Sequence, residues 1–281
     1  MNRYPALSAL LAALVWSTNG VLLRLIGLPI TTTAFFRSAV PTVIIILWYA
    51  WRGYRPSTDS LGIKAVASTL NAIRIPFFYY GFLQTTIANA MITVYTWPIF
   101  AAIFGRIILR ERVSPARAAL LFLAFSGIPL LYLDAGISGA EGSARGISAL
   151  LLSAALHALI MVLLKRAKPG ADRFESVLSQ NFVSALVFLP FLWLPRPEYT
   201  VAIVGTAIFY GGFIGLVGFA LFFNALHRIP AARATNIAYL EVVGATVLAW
   251  IIFGEVPGWN TLAGGTLIIL SVFLSSRWRT I

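Results

Sequence analysis

The chain has 281 residues, of which 59% are hydrophobic and 11% charged, with a net charge of +12. A water-soluble domain carries about 45–50% apolar and about 25% charged residues, so one buried core cannot house this apolar surplus and lipid must take the rest. The lack of cysteine excludes disulfides, zinc thiolates and a dithiol redox pair, and no GxxxxGK loop is present to cradle nucleotide phosphates.

Long apolar runs separated by short basic clusters predict ten helices. The first, 6–26, is as long as a spanning helix and is followed by nine more, which sets it apart from a signal peptide. The others are expected at 32–51, 62–83, 86–106, 114–133, 145–165, 175–194, 200–224, 231–253 and 257–276. Between the third and fourth only a tight turn at Gln84 and Thr85 is expected, whereas Arg52 to Leu61 and Asp134 to Arg145 read as the longest connections. The alternating ten-residue segments of a membrane β-barrel are not found, and no stretch reads as a separate soluble domain.

Lys and Arg settle the expected orientation. With the N-terminus in the cytoplasm, 16 of them fall on the cytoplasmic side and three, Arg24, Arg145 and Arg196, on the other, while Arg37 and Arg74 lie inside helices. Positive charge concentrates on the cytoplasmic side of membrane proteins. Both termini are therefore expected inside, and the basic residues mark topology rather than a nucleic-acid partner.

A shift of 144 residues aligns 88–111 (ANAMITVYTWPIFAAIFGRIILRE) with 232–255 (ARATNIAYLEVVGATVLAWIIFGE), with seven of 24 positions identical. Apolar matches are cheap in membrane helices, but the pairs Tyr95/Tyr239 and Glu111/Glu255, 16 residues apart in both copies, are not. Five helices per copy is an odd number, so the second copy enters the membrane from the opposite side. The expected fold is all-α integral membrane, ten transmembrane helices as two inverted five-helix repeats, 1–138 and 139–281. Inverted repeats of this kind underlie alternating access in transporters.

These stretches, extended to ANAMITVYTWPIFAAIFGRIILRERVSPARAALLFLAFSG and ARATNIAYLEVVGATVLAWIIFGEVPGWNTLAGGTLIILS, resemble the EamA domains of the drug/metabolite transporter superfamily. The opening ALLAALVWSTNGVLLR, followed by FFR, is similar to the first helices of the same family. Two departures stand out: Glu241 where the first copy has Trp97, and Arg110-Glu111 where many members have Gly-Glu, as in Gly254-Glu255. The resemblance covers essentially the whole chain. Among its members the bacterial aromatic amino-acid exporters are most similar, which implies efflux of amino acids with aromatic or other apolar side chains.

Ionisable groups within a bilayer cost about 2.5–3.5 kcal/mol on insertion scales and usually face a cavity or one another. Four qualify: Arg37, Arg74, His157 and Glu241. Glu241 can hold a substrate ammonium or a proton, or form a structural ion pair with Arg37 or Arg74. His157, aligned by the repeat with Trp16, titrates near neutrality when unperturbed, yet lone polar residues in helices are often packing elements. Arg74 and Arg37 can clamp a carboxylate bidentately, although Arg37, near a helix end, can equally snorkel to the interface. Tyr79, Tyr80, Trp97 and Tyr239 sit beside polar or proline-containing stretches and can wall a cavity, with Asn19 as a further polar contact. The candidate substrate-binding set is thus Trp16, Asn19, Arg74, Tyr79, Tyr80, Trp97, His157, Tyr239 and Glu241. Glu111 and Glu255 end their helices near opposite surfaces and read as structural. The run GGFIGLVG at 211–218 offers a small-residue face for close helix packing.

The expectation is a multi-pass bacterial plasma-membrane exporter of amino acids or similar small metabolites, with the bilayer and a small molecule as partners and no cofactor or metal. The oligomeric state and the coupling ion stay open. A broad exporter of amphiphilic drugs is the alternative. A nucleotide-sugar carrier would need more deep cations, and an intramembrane enzyme would need a nucleophile and base at reachable spacing, which the sequence does not offer.

Overall fold

The computed structural model describes residues 5–110, 115–137, 141–166, 173–193, 200–226, 228–229, 237–238 and 240–277. These are helical with short connections, and no strand occurs among them. Helices lie where each of the ten predicted segments was expected. The first is α1 (Pro5–Ser17) and α2 (Asn19–Ile26), followed by α3 (Ile30–Arg52) and α4 (Leu61–Gln84). The fourth is α5 (Ile87–Val94) and α6 (Trp97–Ile108), then come α7 (Pro115–Ile137), α8 (Glu141–Arg166) and α9 (Arg173–Phe188). The eighth starts as α10 (Val201–Tyr210), widens to π-type winding over Gly211–Gly218 and resumes as α11 (Phe219–Leu226). The last two are α12 (Leu240–Phe253) and α13 (Trp259–Arg277).

One expectation needs correcting. The stretch Asp134 to Arg145 is mostly helix, because α7 runs on to Ile137 and α8 starts at Glu141. The apolar run stops at Asp134, but the winding continues through it to Ile137.

Five helical stretches are long and apolar enough to cross a bilayer: Pro5–Ile26, Ile30–Arg52, Ile87–Ile108, Ser143–Leu164 and Val201–Phe222. Val177–Leu192 and Leu240–Phe253 are shorter apolar helices. The outer surface is apolar too: Leu47, Trp51, Ile107, Phe122, Trp250 and Ile251 are exposed. Such a surface is a liability in water and the normal state against lipid.

Two interruptions have local causes. Pro98 lacks the N–H that would close a helical bond to Val94, so the fourth segment breaks at Tyr95 and Thr96. Thr96 bridges the gap by donating its hydroxyl to the Thr93 carbonyl at 2.7 Å. At Thr18 the side chain likewise donates back, to the Val15 carbonyl at 2.7 Å, where α1 gives way to α2.

Glycine sets the closest crossings. A Cβ on Gly211 would stand 2.4 Å from the Phe36 carbonyl oxygen, and one on Gly218 would stand 2.3 Å from the Trp16 indole nitrogen. The small-residue run therefore lets the π-type segment press onto both α3 and α1, as its composition suggested.

Opposite ends of the bundle are tied differently. At one, Arg24 of α2 pairs with Glu255 after α12 and donates to the Thr85 carbonyl at 2.6 Å. Glu255 also accepts from the Ile87 amide at 2.8 Å, Thr85 meets Ser143 at 2.8 Å, and Thr261 donates to Asn89 at 2.6 Å. At the other end Glu175 of α9 accepts from Lys64 at 3.3 Å, the Ser57 amide at 2.8 Å and the Tyr54 hydroxyl at 3.0 Å, which pins the 52–61 connection.

Candidate functional site

A polar cluster lies inside the bundle between these ends. Tyr210 closes α10 and is wholly buried; its hydroxyl donates to Asn19 Oδ1 at 2.7 Å and lies 3.3 Å from the Tyr79 hydroxyl. The Arg37 guanidinium lies within electrostatic reach of Tyr210. A phenol in an apolar span must find polar partners, and here it gathers α2, α4 and α10 around one oxygen, with Arg37 of α3 nearby.

Arg74 stands close enough to Arg37 for their charges to repel. Its Nε and Nη2 both donate to Asn71 Oδ1 at 3.2 Å, and Nη1 reaches Ser153 Oγ at 3.5 Å. Asn71 in turn donates to the Gln180 carbonyl at 2.9 Å and to Ser184 Oγ at 3.3 Å. Each guanidinium rests on an aromatic face, Arg74 on Phe78 at 5.5 Å and Arg37 on Phe219 at 5.9 Å. No carboxylate among the described residues pairs with either. Two buried cations are thus supported only by neutral groups and π faces, an arrangement suited to receiving an anionic group from outside the chain.

His157, on α8, is within electrostatic reach of both arginines and meets the edge of Trp97 at 5.4 Å and 81°. Trp16 packs against Phe219 at 5.1 Å and Phe222 at 5.3 Å, and its indole N–H approaches the Ile214 carbonyl at 3.4 Å. Phe219 therefore touches both Trp16 and Arg37, so the indole joins the edge of the cluster.

Glu241 stands apart from the arginines. In the first turn of α12, its Oε2 lies 2.5 Å from the Tyr95 hydroxyl, which also meets the Ala238 carbonyl at 2.9 Å. The structural ion pair with Arg37 or Arg74 envisaged from the sequence is not formed. Glu255 does hold a loop-side arginine, as its helix-end position suggested.

Of the nine residues singled out from the sequence, Asn19, Arg74, Tyr79, His157 and Trp97 are brought into or beside the cluster. Trp16 borders it through Phe219, and Glu241 belongs to a separate contact two residues along the chain from Trp97. Tyr80 points the other way and is exposed on α4. Tyr239 lies outside the described residues. Arg37, considered but not chosen, is buried within the cluster, and Tyr210, its central oxygen, was missed. The readable signal for Tyr210 was a lone phenol in an apolar span directly before the small-residue run.

Two cavities lie toward the Glu175 end. One of about 690 Å³ runs between α3 and the eighth segment, lined by Ile45, Trp48, Arg52, Leu216, Ala220 and Asn224. The other, of about 540 Å³, is lined by Leu61, Lys64, Ser68, Glu175 and Phe182. Neither contains any of the nine residues. Neither lining includes Arg37 or Phe219. Among the described residues, no group of histidine and carboxylates is arranged to hold a metal ion.

The profile of the EamA-like transporter family matches residues 3–133 and again residues 144–277. The chain is similar to the pseudopaline exporter CntI of Pseudomonas aeruginosa (strain UCBPP-PA14), at 25% identity over 97% of this chain and 96% of that one. It is also similar to the S-adenosylmethionine uptake transporter of Rickettsia prowazekii (strain Madrid E), at 22% identity over 92% and 88%. Human solute carrier family 35 member G1 is 24% identical over 84% of this chain and 68% of its own length. A solved crystal structure shares the fold with a TM-score of 0.65 and 16% identity, covering 99% of each chain. With both halves matched and relatives that are named as transporters, this chain belongs to the EamA-like transporter family of membrane proteins.

Proposed function

We propose that this transporter exports amino acids with aromatic or other apolar side chains, or similar small carboxylate-bearing metabolites, by alternating access between two inverted five-helix halves. The substrate carboxylate lies between Arg37 and Arg74. Its apolar part rests against Trp97, Phe219 and Trp16, with Tyr79, Tyr210 and Asn19 fixing the arginines and His157 holding Trp97. The observation that carries this reading is the pair of buried guanidiniums without a carboxylate partner among the described residues. A substrate anion would supply the missing charge, and a neutral amphiphile would leave it unmet, which weighs against the broad drug exporter.

Support for the halves comes from the packing. Exchanging segments one to five with six to ten turns the α4–α8 contact into the α1–α11 contact, and α6–α8 into α1–α12. The α3–α9 and α7–α13 contacts map onto themselves. A two-fold relation between the halves requires this pattern, and the twofold match of the family profile agrees with it.

The two ends supply the rest. The Arg24–Glu255 end is closed by polar contacts, whereas the cavity beside Arg52 opens between α3 and the eighth segment at the other end. The excess of Lys and Arg on that side supports a cytoplasmic orientation for it, and with it a conformation that takes up substrate from inside. The test is counterflow in liposomes holding purified protein, with labelled amino acids and one amphiphilic amine. Exchange of an amino acid that is lost in Arg74→Gln supports the reading. Exchange of the amine alone overturns it.

A further inference from the structure

The contact between Tyr95 and Glu241 has a hydrogen count that does not close in a single way. Three oxygens meet there: the Ala238 carbonyl, which only accepts, the Tyr95 hydroxyl and Glu241 Oε2. The phenol has one hydrogen to give. If Glu241 is ionised, that hydrogen goes to the carboxylate and the 2.9 Å approach to Ala238 has none. If Glu241 carries a proton, it donates to the phenol oxygen, the phenol donates to Ala238, and both contacts are filled. The same positions serve both states, and the change between them needs only a turn of one hydroxyl.

The surroundings leave the carboxylate to this arrangement. Of the elements packed against α12, α1 has no charged residue, α5 has none, and α2 has only Arg24, which is engaged by Glu255. Among the described residues of these elements, the titratable group in contact with Glu241 is Tyr95. Two locations make the site significant. Tyr95 stands at the break between α5 and α6, and Glu241 in the first turn of α12, so the contact joins the interrupted helix of one proposed half to a helix of the other. Breaks of this kind accompany coupling-ion sites in transporters built from inverted repeats.

We infer that Glu241, with Tyr95 and the Ala238 carbonyl, is the proton-binding site that couples export to a proton gradient, an inference that rests on the transport reading above. In each cycle the Glu241 carboxyl releases its proton to water on the side then open, and the Tyr95 hydrogen turns from Ala238 to the carboxylate. Rebinding a proton from the opposite side restores the two-bond arrangement while the halves exchange shapes. Nothing but a proton and water is required.

Two measurements test it separately from the substrate. Infrared difference spectra of the purified protein across a pH titration need no substrate: a protonated-carboxyl band that titrates in the wild type and is absent in Glu241→Gln is expected. A wild type without that band, or a variant that keeps it, overturns the proposal. In liposomes, an imposed pH gradient is expected to drive accumulation of the exchanged amino acid at least tenfold above the ungraded control, with loss of that drive in Glu241→Gln. Tyr95→Phe guards against a folding defect. It keeps the Glu241 carboxyl group, is expected to elute as the wild type does on size exclusion, and is expected to move the pH midpoint of driven transport by about one unit, the size of one lost hydrogen bond to the carboxyl group. An unmoved midpoint, or counterflow with no response to the gradient, overturns the coupling role while leaving the transport reading intact. Absence of any amino-acid exchange, with the infrared band present, overturns the substrate assignment alone.

Discussion

Arg24 and Glu255, 231 residues apart in the chain, close one end of the bundle with an ion pair. The carboxylate also takes the Ile87 amide and the guanidinium takes the Thr85 carbonyl, so one pair holds α2, the start of α5 and the end of α12 together. The pair is partly solvated, with side chains 20% exposed, so its strength comes from the backbone groups it gathers rather than from Coulomb attraction alone.

Breaking this pair should loosen that end. In Glu255→Gln, a reporter cysteine at the buried Ala88 is expected to react with a water-soluble maleimide roughly tenfold faster, the effect of losing a charge-assisted hydrogen bond. The chain has no cysteine of its own, so the reporter reads alone. An unchanged labelling rate would show that the pair does not hold the end shut.

Arg74 offers a test of fork geometry against bare charge. Arg74→Gln is expected to raise the half-saturating concentration of a carboxylate substrate about 30-fold or more. Arg74→Lys should not restore it, because an ammonium cannot keep two bonds to Asn71 and still present a planar pair of donors. Full rescue by lysine, measured by counterflow, would mean that charge alone is read at this position.

Tyr210→Phe deletes the donor to Asn19 and leaves a buried amide oxygen short of a partner. A loss of about 1–3 kcal/mol is expected in denaturant unfolding of the purified protein. An unchanged midpoint would make the bond dispensable.

The glycines of the eighth segment give a matched pair. Gly211→Ala drives a methyl into the Phe36 carbonyl, whereas Gly212→Ala meets only Val40 at 3.8 Å. The first is expected to cost about 1–3 kcal/mol of stability and the second close to nothing, read by thermal unfolding in one detergent. Equal costs would mean that the crossing of α3 and the π-type segment yields to an added methyl.

The helical plan was legible because apolar runs and basic clusters are long-range signals, and lipid allows few alternatives to helix. Asp134 misled because one charge looked like the end of a span, although the helix continues to Ile137. Arg74, His157 and Trp97 were legible as polar or aromatic exceptions in apolar stretches. Tyr80 was not separable from Tyr79 by composition; adjacent helix positions point about 100° apart, and only packing decides which faces inward. Arg37 near a helix end looked like a snorkelling side chain, yet it is buried with its guanidinium over Phe219. The partner of Glu241 was hidden for another reason: 146 residues separate it from Tyr95, and no local pattern announces so distant a contact.

The widened winding at Gly211–Gly218 gives the eighth segment slack. Tyr210 and Phe219 bracket these eight residues, one bound to Asn19 and the other carrying Arg37 and Trp16. Tightening the segment to ordinary α pitch would turn one bracket relative to the other while both flanking helices kept their own bonds. The winding of these eight residues thus sets the rotational offset between the phenol bound to Asn19 and the ring that meets Arg37 and Trp16.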